Sequence, residues 1–173
     1  KLECAPTHPH HLGWHQARVE EYRRLLTTRN VMHAIHPSQR TRMDTIVSYV
    51  SWAASYKYDA EGNPLFRMRG AYGGNLLKGK YEGTTAAQTA SLMGVKTLFN
   101  STLSTPNAKF LTLDLKDFFL TATLPKPEYC AIPLADIPPE IIDEYHFHTY
   151  SYNNSKGKAV VLFEISKGMY GLP

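Results

Sequence analysis

The chain has 173 residues and a formal net charge of +4 at pH 7, from 19 lysines and arginines against 15 acidic residues. That length is close to one domain with a real core, and no window reaches the roughly 18 uninterrupted apolar residues of a membrane span. The start, KLECAPTHPHH, has no apolar signal-peptide stretch, and Cys4 and Cys130 form no metal-type pair, which points to a reducing compartment.

Residues 1–12 read as a loose lead-in. Cys4, His8, His10, His11 and His15 are zinc-type donors, but their spacing fits no zinc pattern and Pro6 and Pro9 interrupt it. Trp14 to Thr28 is predicted as an amphipathic helix, with Trp14, Ala17, Val19, Tyr22, Leu25 and Leu26 inward and Glu20, Glu21, Arg23 and Arg24 outward. Val31 to Ile35 alternates as a short strand before the turn-rich HPSQR. Thr45 to Tyr58 is β-branched and aromatic, and Asp59 to Pro64 has the composition of a hairpin tip before a returning strand, Leu65 to Arg69. Arg67 and Arg69 then share one strand face, where paired guanidiniums suit a phosphate. GAYGG and GKYEG lack the Lys-Ser/Thr ending of a nucleotide P-loop and read as flexible connections.

Thr84 to Phe99 is predicted as a helix, capped by Thr84 or Thr85, with STLSTPN as the turn that follows. Phe110 to Leu120, FLTLDLKDFFL, reads as a buried strand delivering Asp114 at its end. A carboxylate at the edge of an apolar core is costly unless it holds a cation or a donor network, which singles out Asp114 as the leading functional candidate. Basic residues concentrate upstream, at Arg18, Arg23, Arg24, Arg29, Arg40, Arg42, Arg67, Arg69, Lys78 and Lys80, as suits a phosphate-rich ligand near a metal-bound carboxylate. Beyond Leu120, five prolines imply short extended pieces and a helix starting near Pro138 or Pro139. His146 and His148 are possible ligands on one strand face, YNNSKGK is a hairpin turn, Val160 to Ile165 is a strand, and GMYGLP ends the chain on turn residues.

LDLKDFF resembles the first catalytic motif of reverse transcriptases, a strand-terminal Asp followed three residues later by a second Asp and then aromatics. Trp14, Ala17, Glu20 and Leu25 resemble the start of copia-type retrotransposon polymerases, Arg67-Met68-Arg69 falls where that family has K-A-R, and KGMYGLP resembles its L-Y-G-L motif. The ordered set covers nearly the whole chain. The resemblance implies an α+β fold: a fingers-like region over residues 13–108, then the start of an antiparallel palm sheet and a return to the fingers over 109–173. It implies RNA-directed DNA polymerase activity using Mg²⁺ or Mn²⁺, a primed RNA or DNA template and deoxynucleoside triphosphates. The polypeptide would continue into palm, thumb and RNase H segments, with a cytoplasmic location, virus-like particles and nuclear access for the parent element.

Residue by residue, Asp114 would ligate metal beside the Leu115 carbonyl, and Phe119 would reject a 2′-hydroxyl by bulk. Arg67, Arg69 and Lys57 would meet the triphosphate, while Asp117, expected off the Asp114 face and capping the next turn, and Lys116 would play supporting parts. Arg67 replaces the family's Lys, which retains charge but alters geometry. Two-metal nucleotidyl transfer needs several converging carboxylates, and no Tyr/Phe-x-Asp-Asp is present, so the chain is expected to be an inactive fragment of a polymerase. A non-Met first residue and an ending on turn residues carry the same expectation. The alternatives are a non-catalytic nucleic-acid-binding domain derived from a polymerase, and a metal-dependent hydrolase in which His33, His146 or His148 converges on Asp114.

Overall fold

The computed structural model describes residues 7–77 and 90–172. Helix α1 (His11–Arg23) runs into a wider π-type turn, Arg24–Thr28, closed by Arg29 N–H donating to the Arg24 carbonyl at 2.9 Å. Asn30 then turns the chain at a φ of 49°. The helix begins inside the predicted lead-in, and all six residues of the predicted apolar stripe are buried. Glu21, expected outward, is also buried, because its carboxylate accepts from Arg24 and from the Gly70 amide of a neighbouring strand.

Among the described residues the main sheet has five strands. Its path is β1 (Met32–Ile35), β7 (Ala159–Lys167), β5 (Thr123–Pro133) and β2 (Val47–Ser48), and β6 (Ser151–Asn153) also pairs with β7. Every pairing is antiparallel except β2 with β5. The prolines after Leu120 do not break the chain into short pieces. Most of that run forms the single strand β5, whose register shifts between Thr123 and Glu128, across the stretch that holds Pro125 and Pro127. Strand β7 is buried at Val160, Val161, Leu162, Phe163 and Ile165, a run interrupted by the half-buried Glu164 and suited to the sheet centre.

The chain leaves the sheet at Tyr49 to make a separate hairpin of β3 (Val50–Tyr58) and β4 (Pro64–Tyr72). Its tip is the predicted one: the Asp59 carboxylate accepts from the Glu61 and Asn63 amides, and Gly62 sits at a φ of 84°. Phe66 and Met68 face α1, where Met68 is buried with Trp14 and Ala17. Arg67 and Arg69 therefore point to the opposite face.

Helix α2 (Leu92–Ser104) starts later than predicted. Ser91 is its cap, accepting from the Gly94 amide, while Thr84 and Thr85 lie outside the described residues. Residues 101–104, predicted to turn, continue the helix, and none of its residues is buried. Helix α3 (Pro139–Glu144) has Pro139 in its first turn as expected. His146 and His148 lie not on a strand but at a short 3₁₀ turn, Phe147–Tyr150, where His146 has a φ of 52°.

The predicted strand ending at Asp114 does not form. Residues 108–115 form neither helix nor strand and pair with no strand among the described residues, and Leu111 and Leu113 are 75% and 77% exposed. An apolar alternation becomes a strand only where another backbone meets its amides and another surface covers its side chains. The architecture is α+β, and among the described residues no helix is long and apolar enough to cross a membrane.

Candidate functional site

Two distant segments meet in an open cleft of about 630 Å³. One wall is Arg67 and Arg69 of β4; the other is Leu113 to Phe119, with Tyr170 between them. Arg67, Arg69, Asp114, Leu115, Lys116, Asp117 and Phe119 are thereby brought together. Lys57 does not line the cleft: it lies further toward the hairpin tip, on the same face of the ladder as Arg67, because Lys57 pairs with Leu65 and Ser55 with Arg67.

Asp117 anchors the second wall. Its side chain is 3% exposed; Arg24 Nη1 donates to Oδ1 at 2.6 Å and Arg29 Nη2 to Oδ2 at 3.0 Å. Its backbone has a φ of 61°, in the left-handed region that Asp tolerates better than most residues. The expected capping role is corrected: the side chain caps nothing in the 118–121 turn, because both oxygens are committed to Arg24 and Arg29, at the π-type turn that follows α1. Arg24 also donates from Nε and Nη2 to Glu21, whose Oε1 accepts from Gly70 N–H at 3.1 Å, next to Arg69. A chain of charge-assisted bonds thus links β4, α1 and the 113–119 segment. Desolvation opposes the Arg24 charge, yet Glu21 and Asp117 hold its pKa above the usual arginine value.

The end of β7 supports both walls. Gly168 N–H donates to the Ala122 carbonyl at 2.7 Å, and a Cβ on Gly168 would collide with the Phe119 carbonyl oxygen. Tyr72 N–H donates to the Tyr170 carbonyl at 2.6 Å, and the Arg69 guanidinium lies 5.0 Å from the Tyr170 ring centroid. Phe119 is 62% exposed. Phe118 meets it edge-on at 6.1 Å.

Asp114 is exposed rather than at the edge of a core, and its carboxylate has no hydrogen bond or ion pair among the described residues. With Asp117 neutralised, the cleft presents Arg67, Arg69 and Lys116 against one uncommitted carboxylate, an arrangement for an anion. It is not by itself a metal site. No group of three His, Cys, Asp or Glu able to hold a metal exists among the described residues, so the donors present do not fit Mg²⁺ or Mn²⁺ without further carboxylates.

The hydrolase alternative fails here. His33 contacts Glu164 at 3.2 Å, and neither it nor His146 nor His148 lines the cleft. Of the candidate zinc donors, Cys4 lies outside the described residues and His15 contacts Glu140 at 2.9 Å. Sequence reading placed Glu21 outward, counted Arg24 and Arg29 only among the basic residues and gave Tyr170 no role of its own; for Glu21 and Arg24 the signal available was a Glu three residues before an Arg, the spacing of a helical ion pair. Compared with known proteins, the chain matches no family model, no curated protein and no solved structure.

Proposed function

We propose that the chain is the fingers and partial palm of an RNA-directed DNA polymerase of the copia-retrotransposon kind, acting on a primed RNA or DNA template. The observation that carries this reading is the shared cleft of Arg67 and Arg69 with Asp114 and Phe119. Those residue types, from segments far apart in sequence, are what an incoming deoxynucleoside triphosphate requires. The guanidiniums meet phosphate oxygens, and an exposed aromatic beside the carboxylate limits the space for a 2′-hydroxyl.

Within this chain the residues bind and orient. Arg67 and Arg69 fix the triphosphate, Phe119 sets sugar shape, and Asp117, through Arg24 and Glu21, ties the segment that carries Asp114 and Phe119 to the Gly70 amide of β4. Mg²⁺ or Mn²⁺ would need carboxylates supplied by a Tyr/Phe-x-Asp-Asp segment elsewhere in the polypeptide. The chain alone therefore binds without extending a primer. A second reading, a non-catalytic nucleic-acid-binding domain, is favoured by the solitary Asp114 carboxylate.

Primer extension by the full-length polypeptide containing this chain separates the two. Asp114→Asn abolishes extension and leaves template binding intact under the polymerase reading; loss of both together, or extension that survives the substitution, contradicts it. Phe119→Val relaxes sugar discrimination, and unchanged discrimination removes Phe119 from that role.

A further inference from the structure

A second concavity, of about 540 Å³, lies on the side of the hairpin away from Arg67 and Arg69, and its lining is aromatic: Trp14 of α1, Tyr56, Tyr58 and Phe66 of the hairpin, and His8 and His10. Trp14 is its floor, at 5% exposure, and meets Phe66 edge-on at 4.8 Å and Tyr56 at 6.3 Å. His10 lies 5.5 Å from Phe66. Tyr56 and Tyr58 remain 57% and 65% exposed, edge to face at 5.7 Å. The tight approach of α1 to the hairpin depends on Gly13, because a Cβ there would strike the Phe66 ring. Exposed rings held at fixed angles over a buried indole offer flat faces at little entropic cost.

Phe66 also lines a groove between α1 and β4 whose further lining includes Arg67 and Lys116, and these two residues in turn line the Asp114 cleft. The groove contains Glu20, Glu21 and Arg24 as well. Glu21 is neutralised by Arg24, and Glu20, bonded at 3.0 Å only to the neutral Gln16 amide, keeps its charge, so Arg67 and Lys116 leave the groove with an excess of one positive charge. Stacking faces followed by a cationic strip are what a single-stranded nucleic acid needs, with bases on the rings and phosphates on the cations.

We infer that the Trp14–Tyr56–Tyr58–Phe66 concavity is a base-stacking platform for unpaired nucleotides of a strand whose backbone follows Arg67 and Lys116 toward the Asp114 cleft. The inference rests on the polymerase reading only for the presence of a nucleic-acid strand. The platform belongs to the α1-facing side of the hairpin, and Arg67, which lines both the groove and the cleft, is shared by strand and triphosphate.

The test uses the 173-residue chain with a fluorescent single-stranded oligothymidylate of about twelve nucleotides, within the range such platforms span. Anisotropy gives the affinity, and a 5-iodouracil analogue cross-links to the rings it touches. The Tyr56→Ala/Tyr58→Ala variant removes two exposed rings without opening the core. It weakens oligothymidylate binding by about 10-fold or more, the effect of losing one to two stacked bases. Deoxynucleoside triphosphate binding, measured by competition, stays unchanged in that variant, while Arg67→Ala weakens both ligands. Cross-links fall on the peptides that carry Trp14, Tyr56, Tyr58 or Phe66. Equal oligothymidylate affinity in wild type and double variant, or cross-links confined to the Asp114 cleft, overturns the platform and leaves the polymerase reading standing. Triphosphate binding with no oligothymidylate binding overturns the platform alone; binding of neither ligand overturns both.

Discussion

Asp117 shows how a charged residue becomes part of a fold. A lone buried carboxylate is costly, but two guanidiniums at 2.6 and 3.0 Å compensate it, and Arg24 is itself balanced by Glu21. Removing one member leaves the others desolvated and unpaired. Asp117→Ala should therefore cost about 3 kcal/mol, lowering the melting temperature by roughly 6 to 12 °C for a chain this size, as read by calorimetry or urea titration. Asp117→Asn, which keeps the shape and tolerates the left-handed backbone, recovers part of that loss. Asp114 is the converse case, exposed and without a partner among the described residues, so Asp114→Asn should leave the melting temperature within about 1 °C while removing a free carboxylate from the cleft. The types of both residues were legible in LDLKDFF. Which of them would be buried was not, because that depended on the guanidiniums of Arg24 and Arg29, just beyond α1 and remote in sequence.

Elements were legible wherever partner and signal lie close together. The β3–β4 hairpin was, since Asp59 and Gly62 specify the tip locally and period-2 alternation assigns Arg67 and Arg69 to one face. The 108–115 segment was not, because its alternation is the same whether or not a strand lies beside it. The junction of the 118–121 turn with the end of β7 gives an element-scale prediction. A methyl on Gly168 must displace the Phe119 carbonyl, a backbone atom that cannot rotate away. Gly168→Ala should cost about 2 kcal/mol by denaturant titration, in the range of overpacking, and weaken triphosphate binding by moving Phe119. Gly62→Ala at the hairpin tip meets open space, so it carries only a backbone penalty of about 1 kcal/mol and leaves triphosphate affinity unchanged.

For the molecule as a whole, two physical consequences follow. Burial pushes the Cys130 thiol up to about 12 and raises the Tyr22 and Tyr72 hydroxyls above their usual value. Each folded state holds its proton longer than the unfolded chain does. The stability contributed is complete below the unfolded values, near 9.0 for the thiol and 10.0 for the hydroxyls, and is lost as pH rises toward the folded ones. Unfolding free energy should fall between pH 9 and 12, approaching about 1.4 kcal/mol per pH unit for each group that titrates, as measured by denaturant titration across that range. Iodoacetamide at pH 8 should correspondingly leave Cys130 unmodified until the chain is unfolded. The second consequence concerns surface. Leu92, Met93, Leu98 and Leu103 of α2 and Leu111, Leu113 and Leu115 are exposed, and Phe99 stacks on Phe110 at 4.6 Å to join the two apolar segments. The chain should associate with rising concentration in sedimentation velocity. Leu111→Ser combined with Leu113→Ser should reduce that association and change stability by no more than about 0.5 kcal/mol per site.

Local features, then, could be read without the fold: the apolar stripe of α1, the hairpin tip, the shared face of Arg67 and Arg69, and the candidate status of Asp114 all follow from spacing and side-chain chemistry over a few residues. Tertiary structure alone decided that β4 meets the 113–119 segment in one cleft, that Glu21 and Asp117 are buried while Asp114 is exposed, and that an aromatic concavity lies behind the hairpin. The reason is range: periodicity and turn chemistry act over neighbouring residues, whereas burial, charge compensation and cleft formation depend on which remote surface arrives opposite.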